Sequence, residues 1–272
     1  MSRITEKGAT GALEVFTTAT DNNLASLVGS RYDTTDGREF VLVQNGGAIL
    51  AAGKVVASVP NTANHIGLVV TAFTAYSANG NQPAQVTVTC GGTGVLPNEY
   101  AGGYLMVATN TGAGQYLKIA SHPGQKATAG SVVISLENPD GQNMTALDTT
   151  STVSLFRNPY GSANGGTAST GAVTVSTNGV VISPTTVVGT IIGVSNYAIP
   201  ASTSTVAEYG LVQTKGPVAC LNHSGTTIGL NVGASTGIAG AFDTYVAATN
   251  TLIGYASQAG TDTAYSEIVL TL

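Results

Sequence analysis

Three histidines, two cysteines and fourteen acidic side chains are the groups in this 272-residue chain that could do acid–base, nucleophilic or metal chemistry. His65, His122 and His223 show neither H-E-x-x-H nor H-x₃₋₅-H spacing, so the sequence offers no paired zinc ligands. There is no C-x-x-C. Cys90 and Cys220 stand far apart and read as buried thiols, because a free cysteine behaves as a small hydrophobe. His122-Pro123-Gly124 and His223-Ser224-Gly225 have turn composition, which predicts surface histidines at both. The P-loop G-x₄-G-K-[ST] is missing, and the one match to the nucleophile elbow G-x-S-x-G, Gly233 to Gly237, falls in a glycine-rich stretch. The glycine-rich stretches 90–94 and 233–240 do not join a strand to a helix, as phosphate cradles do.

Glycoside hydrolysis needs two facing carboxylates. The acids Asp33, Asp36, Asp140, Asp148, Asp243 and Asp262 all stand near turn residues, and sequence spacing leaves open a pair assembled by the fold. The segments 33–37 and 137–141 lack the alternating ligands and terminal Glu of a calcium loop and read as β-turns. The expectation is a protein that is not an enzyme, with no metal and no cofactor.

One cluster stands apart. Arg31, Asp33, Asp36, Arg38 and Glu39 place five charges in nine residues of a chain that is only 8% charged. One reading is a solvated turn with local ion pairs worth little. The sharper reading is a docking patch, formed by Arg31, Tyr32, Asp33, Asp36 and Arg38, where the chain meets a partner.

The elements that must hold these residues follow from composition. Charged residues at 8% compare with roughly 25% in an average soluble domain. That excludes a coiled coil, whose outer faces need charges. A net charge of −5 and a pI near 5.0 argue against nucleic acid as a partner. An apolar fraction of 43% argues against disorder. The apolar window 66–75 is too short for a membrane helix, which takes about 20 residues, so no membrane partner is expected. The first thirteen residues have no apolar h-region and read as no secretory signal.

The pattern is all-β. Residues 1–30 read as an N-terminal extended arm, or equally as a frayed terminus, with one short helix: Asp21 caps it, Leu24, Leu27 and Val28 share a face, and Gly29 ends it. Residues 31–160 form one β domain, 161–171 a Gly/Ser-rich linker or loop, and 172–272 a compact β domain. Strict alternation in 85–90 puts Val86, Val88 and Cys90 on one face. Residues 104–107 and 116–119 flank a turn at 110–114 and read as a hairpin. Further strands are expected at 40–43, 132–136, 152–156, 172–176, 180–182, 187–194, 209–213, 218–221, 228–232, 252–256 and 267–272. Short strands between turn signals suggest sandwiches or small barrels. The similar segments 190–195 and 251–256 each carry a glycine, Gly193 and Gly254, inside an apolar strand, which marks a bulge or a close backbone approach.

A resemblance is carried by Gly29-Ser30-Arg31-Tyr32-Asp33-Thr34-Thr35-Asp36-Gly37-Arg38-Glu39-Phe40, by Gln44-Asn45-Gly46-Gly47 and by Asn98-Glu99-Tyr100-Ala101-Gly102-Gly103-Tyr104. Gly112-Ala113-Gly114-Gln115-Tyr116, Asn158-Pro159-Tyr160 and Tyr209-Gly210-Leu211-Val212-Gln213-Thr214-Lys215-Gly216-Pro217 add to it. Over most of residues 29–272 the chain resembles capsid decoration, or cement, proteins of tailed bacteriophages. The resemblance implies a non-enzymatic virion protein on the outer surface of the head, partnered by the major capsid protein. It also implies a homotrimer, tulip-like β domains, and an arm reaching over neighbouring subunits. The alternative is a receptor- or glycan-binding fibre or spike module, with tyrosines lining the glycan site.

Overall fold

The structure, a computed structural model, describes residues 4–5, 24, 27–75, 83–125, 130–137, 144–161, 179–186, 189–203, 207–247 and 249–272. Its strands are β1 (Ile4–Thr5), β2 (Arg31–Asp33), β3 (Glu39–Gln44), β4 (Lys54–Ala57), β5 (Leu68–Thr74), β6 (Gln85–Thr89), β7 (Tyr104–Thr109), β8 (Tyr116–Ser121) and β9 (Ser131–Leu136). They continue with β10 (Thr152–Phe156), β11 (Val181–Ile182), β12 (Ile191–Ser195), β13 (Tyr209–Leu221), β14 (Asn231–Ala234), β15 (Phe242–Thr244), β16 (Leu252–Ala256) and β17 (Tyr265–Thr271). The protein is all-β, as the composition requires. The expected strand at 172–176 lies outside the described residues, as do most of the arm and of the linker.

Two compact units emerge, and they interleave in the chain. One is Met1–Pro60 with Pro159–Gly161 and Val175–Leu272; the other is Asn61–Asn158 with Ser162–Thr174. The division therefore differs from the expected 31–160 and 172–272. The reason is strand pairing: Phe40 to Gln44 of β3 lie antiparallel to Gln213 to Tyr209 of β13, and Lys54 to Ala57 of β4 pair with β12. Residues 31–60 thus fold with the C-terminal half.

In the first unit eleven strands form one sheet, ordered β1-β2-β3-β13-β17-β16-β14-β15, with β12, β4 and β11 branching from β13. β13 is a single strand of 13 residues, where two were expected at 209–213 and 218–221. The chain runs through because Gly216 takes φ +86° and the register against β3 shifts between Gln213 and Lys215. Side chains at alternate positions bury Val55, Val194, Val218, Cys220, Phe242, Ile253, Ile268 and Leu270 in one cluster. A second cluster gathers Val41, Val43, Leu50, Ile199 and Val212.

The arm boundary also moves. Leu24 and Leu27 are helical, and Gly29 follows at φ +89°. Leu24 is buried with Phe40, Leu42, Tyr209 and Leu211, with Leu27, Val28 and Tyr32 packed against them. Gly29 is seated under the ring of Tyr160. From Leu24 onward the chain is part of the β body, because burying a leucine is worth about 1.5–3 kcal/mol.

In the second unit β10-β5-β6-β9-β8-β7 close into a six-stranded barrel. Closure leaves no open sheet edge within the ring. The interior is one cluster that includes Leu68, Val70, Val86, Val88, Cys90, Leu105, Val107, Ile119, Ile134, Leu136, Val153 and Leu155. Val86, Val88 and Cys90 are buried on one face, as their alternation requires. β7 and β8 form the expected hairpin.

Candidate functional site

The charged segment of residues 31–39 folds as a hairpin. β2 pairs antiparallel with β3, Arg31 opposite Val41, Tyr32 opposite Phe40 and Asp33 opposite Glu39. Period-two alternation then splits the five candidate docking residues. Arg31 approaches Glu39 (Nη1–Oε2 3.8 Å), and Glu39 also receives Lys215 from β13 (Nζ–Oε1 2.9 Å). Tyr32, one residue along from Arg31, packs against the Leu24–Phe40–Leu42 cluster. That burial raises its phenol pKa above the ordinary value.

Asp36 and Arg38 lie at the turn. Thr34 donates its hydroxyl to Asp36, and Arg38 Nε donates to Asp36 Oδ2 at 2.7 Å. The Thr34 hydrogen bond first, then those from Arg38, hold the Asp36 carboxyl below its usual range. The Arg38 guanidinium stands 5.5 Å above the Phe40 ring.

Arg38 is also a wall of two adjoining grooves on the same unit. One, of about 410 Å³, is lined by residues that include Arg38, Gly53, Asn196, Tyr197, Pro217 and Tyr265. The other, of about 470 Å³, adds Asp36, Gln258 and Glu267. Two tyrosines give them aromatic walls: Tyr265 is 56% exposed and Tyr197 45%. Tyr265 lies against Gly53, where a Cβ would sit 2.4 Å from its ring, and its hydroxyl reaches Ala52 O at 3.4 Å. Gly53 at φ +69° lets the backbone take that seat.

The second unit holds a buried polar cluster that sequence reading did not assemble. Glu99, its side chain 4% exposed, pairs with Arg157 at 13%, and its other oxygen accepts the Leu96 N–H at 2.9 Å. Arg157 also donates to Thr62 Oγ1 (3.1 Å) and stands 5.7 Å above the Tyr100 ring. Tyr100 lies between two histidines. Its hydroxyl meets His65 Nδ1 at 2.5 Å, and its backbone N–H donates to His122 Nε2 at 2.9 Å.

Carbonyls fix both tautomers, since a carbonyl only accepts. His65 Nε2–H donates to Thr93 O (3.1 Å), and His122 Nδ1–H donates to Pro123 O (3.0 Å). Each ring therefore offers Tyr100 a bare nitrogen. Burial, with the Glu99 charge adding to it, raises the Tyr100 pKa well above its ordinary value. Burial lowers the His122 pKa.

The expectation of a surface histidine at 122 is thus corrected. His122 follows β8 at the end of the barrel, where the turn 96–103 folds back over its ring and Asn98 binds its backbone (His122 N–Asn98 Oδ1 3.0 Å). His65 sits in the 3₁₀ turn Ala63–His65 and is buried as well.

His223 is half-buried. Its Nδ1 lies 2.9 Å from Ser235 Oγ and 3.1 Å from Asp243 Oδ2, while Ser224 donates its hydroxyl to the same carboxylate. Ser224 bonds the aspartate and not the ring, while Ser235, the serine of the Gly233–Gly237 match, and Asp243 meet the ring at the same nitrogen; a serine–histidine–acid triad instead puts hydroxyl and carboxylate on opposite ring nitrogens. Both thiols are buried and free. Burial pushes the Cys220 thiol up to about 12 and raises that of Cys90, which suppresses the reactive thiolate. Among the described residues no group of three His, Cys, Asp or Glu side chains is placed to hold a metal ion. No helix among them is long and apolar enough to cross a membrane.

Compared with known proteins, the chain matches no family model, no curated protein and no solved structure.

Proposed function

We propose that this chain is a non-enzymatic virion protein, a decoration or cement protein that binds the outside of an icosahedral phage head and stabilises its capsid subunits. It acts as a homotrimer partnered by the major capsid protein. The observation that carries this reading is where the ionisable groups sit. The pair Glu99–Arg157 and the histidines beside it are engaged with one another in a buried cluster at one end of a barrel. The charges on Arg31 and Asp36 stand outward on a hairpin braced by the long strand β13, which adds Lys215.

Such a surface suits binding to a subunit joint, where a protein that binds only the assembled state stabilises it by mass action. A trimer would engage the shell at three points, so individual contacts can be weak. A second reading, a recognition module of a fibre or spike, is favoured by the tyrosine-walled groove.

The test is copy number in purified particles, measured against the major capsid protein by quantitative mass spectrometry. Copies of the same order as the capsid protein support the decoration reading. A handful per particle overturns it in favour of the fibre or spike module.

A further inference from the structure

We infer that the groove over β13 and β17 is a binding site for a neutral saccharide. The argument starts from Tyr265. Its ring rests on the backbone at Gly53, where any side chain would collide with it, yet the residue stays 56% exposed. An aromatic ring supported on one side and open on the other is a platform for an apolar ligand face, and a tyrosine needs little ordering to serve as one. Tyr197 supplies a second open ring on the same groove. At about 410 and 470 Å³ the two adjoining compartments fall within the roughly 300–1,000 Å³ of small-ligand sites. A sugar ring has an apolar C–H face to lay on such a platform and hydroxyls around its rim.

Groups for those hydroxyls are in place. Arg38 Nε is held by Asp36, which orients the guanidinium and leaves its two terminal NH₂ groups without an acceptor among the described residues. Gln258 accepts the Glu267 N–H with its carbonyl at 3.2 Å, which leaves its amide NH₂ to donate. Asn196 donates to Gln213 Oε1 at 2.8 Å and keeps its own oxygen buried, so it shapes the wall of the groove and offers a ligand no acceptor.

Other ligand classes fit less well. Nucleic acid needs several unpaired cations for its phosphates. This groove has one, Arg38, already ion-paired, and Lys215 nearby is held by Glu39. Asp36 and Glu267 on the rim disfavour an acidic sugar in the same way. A neutral hexose or N-acetylhexosamine chain remains.

The inference does not depend on whether the chain sits on a head or a fibre. Copy number tests that placement, and ligand binding tests this site.

The experiment titrates the full chain with neutral hexose and N-acetylhexosamine oligosaccharides, and in parallel with sialylated and uronic-acid oligomers, by saturation-transfer NMR and calorimetry. The expected result is saturable binding of a neutral member. Tyr197→Ala, in an exposed loop, should weaken it about tenfold, which is about 1.4 kcal/mol. Tyr265→Ala should abolish it and Tyr265→Phe should retain it. Circular dichroism confirms the fold of each variant. Binding of no neutral oligosaccharide, preference for the acidic oligomers, or unchanged binding by Tyr197→Ala would overturn the assignment.

Discussion

Glu99→Ala is the sharpest test of the buried polar cluster at the end of the barrel. The carboxylate is 4% exposed and accepts from two donors, Arg157 and the Leu96 N–H. Removing one partner of a buried ion pair typically costs about 3–5 kcal/mol, because the other charge is left uncompensated. The stranded Leu96 N–H adds about 1–3 kcal/mol if it stays dry.

Against this, Arg157 keeps Thr62 and the Tyr100 ring, and the small alanine admits water. The expected net loss is about 3 kcal/mol, a large part of the roughly 5–15 kcal/mol that holds a domain folded. With a urea slope near 2 kcal/mol per molar, the midpoint falls by about 1.5 M.

The chain has no tryptophan, so unfolding is followed by far-UV circular dichroism, with amide exchange at Leu96 and Tyr100 reporting the cluster directly. The partner experiment is Arg157→Ala and the double variant. The double variant should cost much less than the two singles together, since it removes both charges. A midpoint shift under about 0.5 M, or strict additivity in the cycle, would refute the coupling described here.

Acid should loosen the same barrel. Burial lowers the folded pKa of His122 below 6.5. Between that lowered value and 6.5 the unfolded chain carries a proton that the folded chain does not, so stability rises with pH through this window. It is fully present above about pH 6.5, is lost as pH falls, and levels off below the folded pKa. His122→Gln should flatten the slope of stability against pH, and an unchanged slope would count against this account. Gly254→Ala and Gly193→Ala should each cost about 3 kcal/mol or prevent folding, because a Cβ would sit 2.0 Å from Val269 O or 2.1 Å from Gln213 O. Gly92→Ala, with open space around it, is the control, and equal melting temperatures for it and Gly254→Ala would contradict the close-approach argument. On the decoration reading, removing residues 1–20 deletes the two-residue edge strand β1 but keeps Leu24 in its cluster, and should leave a folded protein that no longer binds capsids; capsid binding at full strength after truncation would remove the arm from the docking mechanism.

Local patterns carried most of the strands. The alternation around Val86 and Val88, the hairpin at 104–119 and the two strand glycines could be read from neighbours in the chain. What could not be read was pairing at long range. Nothing in Phe40 to Val43 points to β13, which supplies their neighbours. The hairpin's charges were legible as a cluster, but the register that turns Tyr32 inward was not.

His122 misled because proline and glycine after it describe the backbone turn and say nothing of which way the ring points. Glu99 and Arg157 are separated by 58 residues, so only the fold could show them as a pair. The one hint was a carboxylate in the near-uncharged stretch 83–117. The groove was hidden for a similar reason: Tyr197 lies in the loop after β12 and Tyr265 on β17, and Gly53, which seats one of them, reads in sequence as one more turn glycine.

The interleaving of the two units has a consequence for how the chain is made. The barrel closes with residues of a single run, Asn61–Asn158, so it can form as soon as that run leaves the ribosome. β3 is different. Its partner β13 lies roughly 165 residues further on, and at typical elongation rates it waits on the order of ten seconds or more. During that interval the apolar strand Glu39–Gln44 has only the short β2 beside it and an open second edge, and such edges are where nascent chains associate wrongly. Synthesis therefore sets a fixed order, barrel first and sheet last. The interval between them is when this protein most needs a chaperone or a low concentration of its own copies.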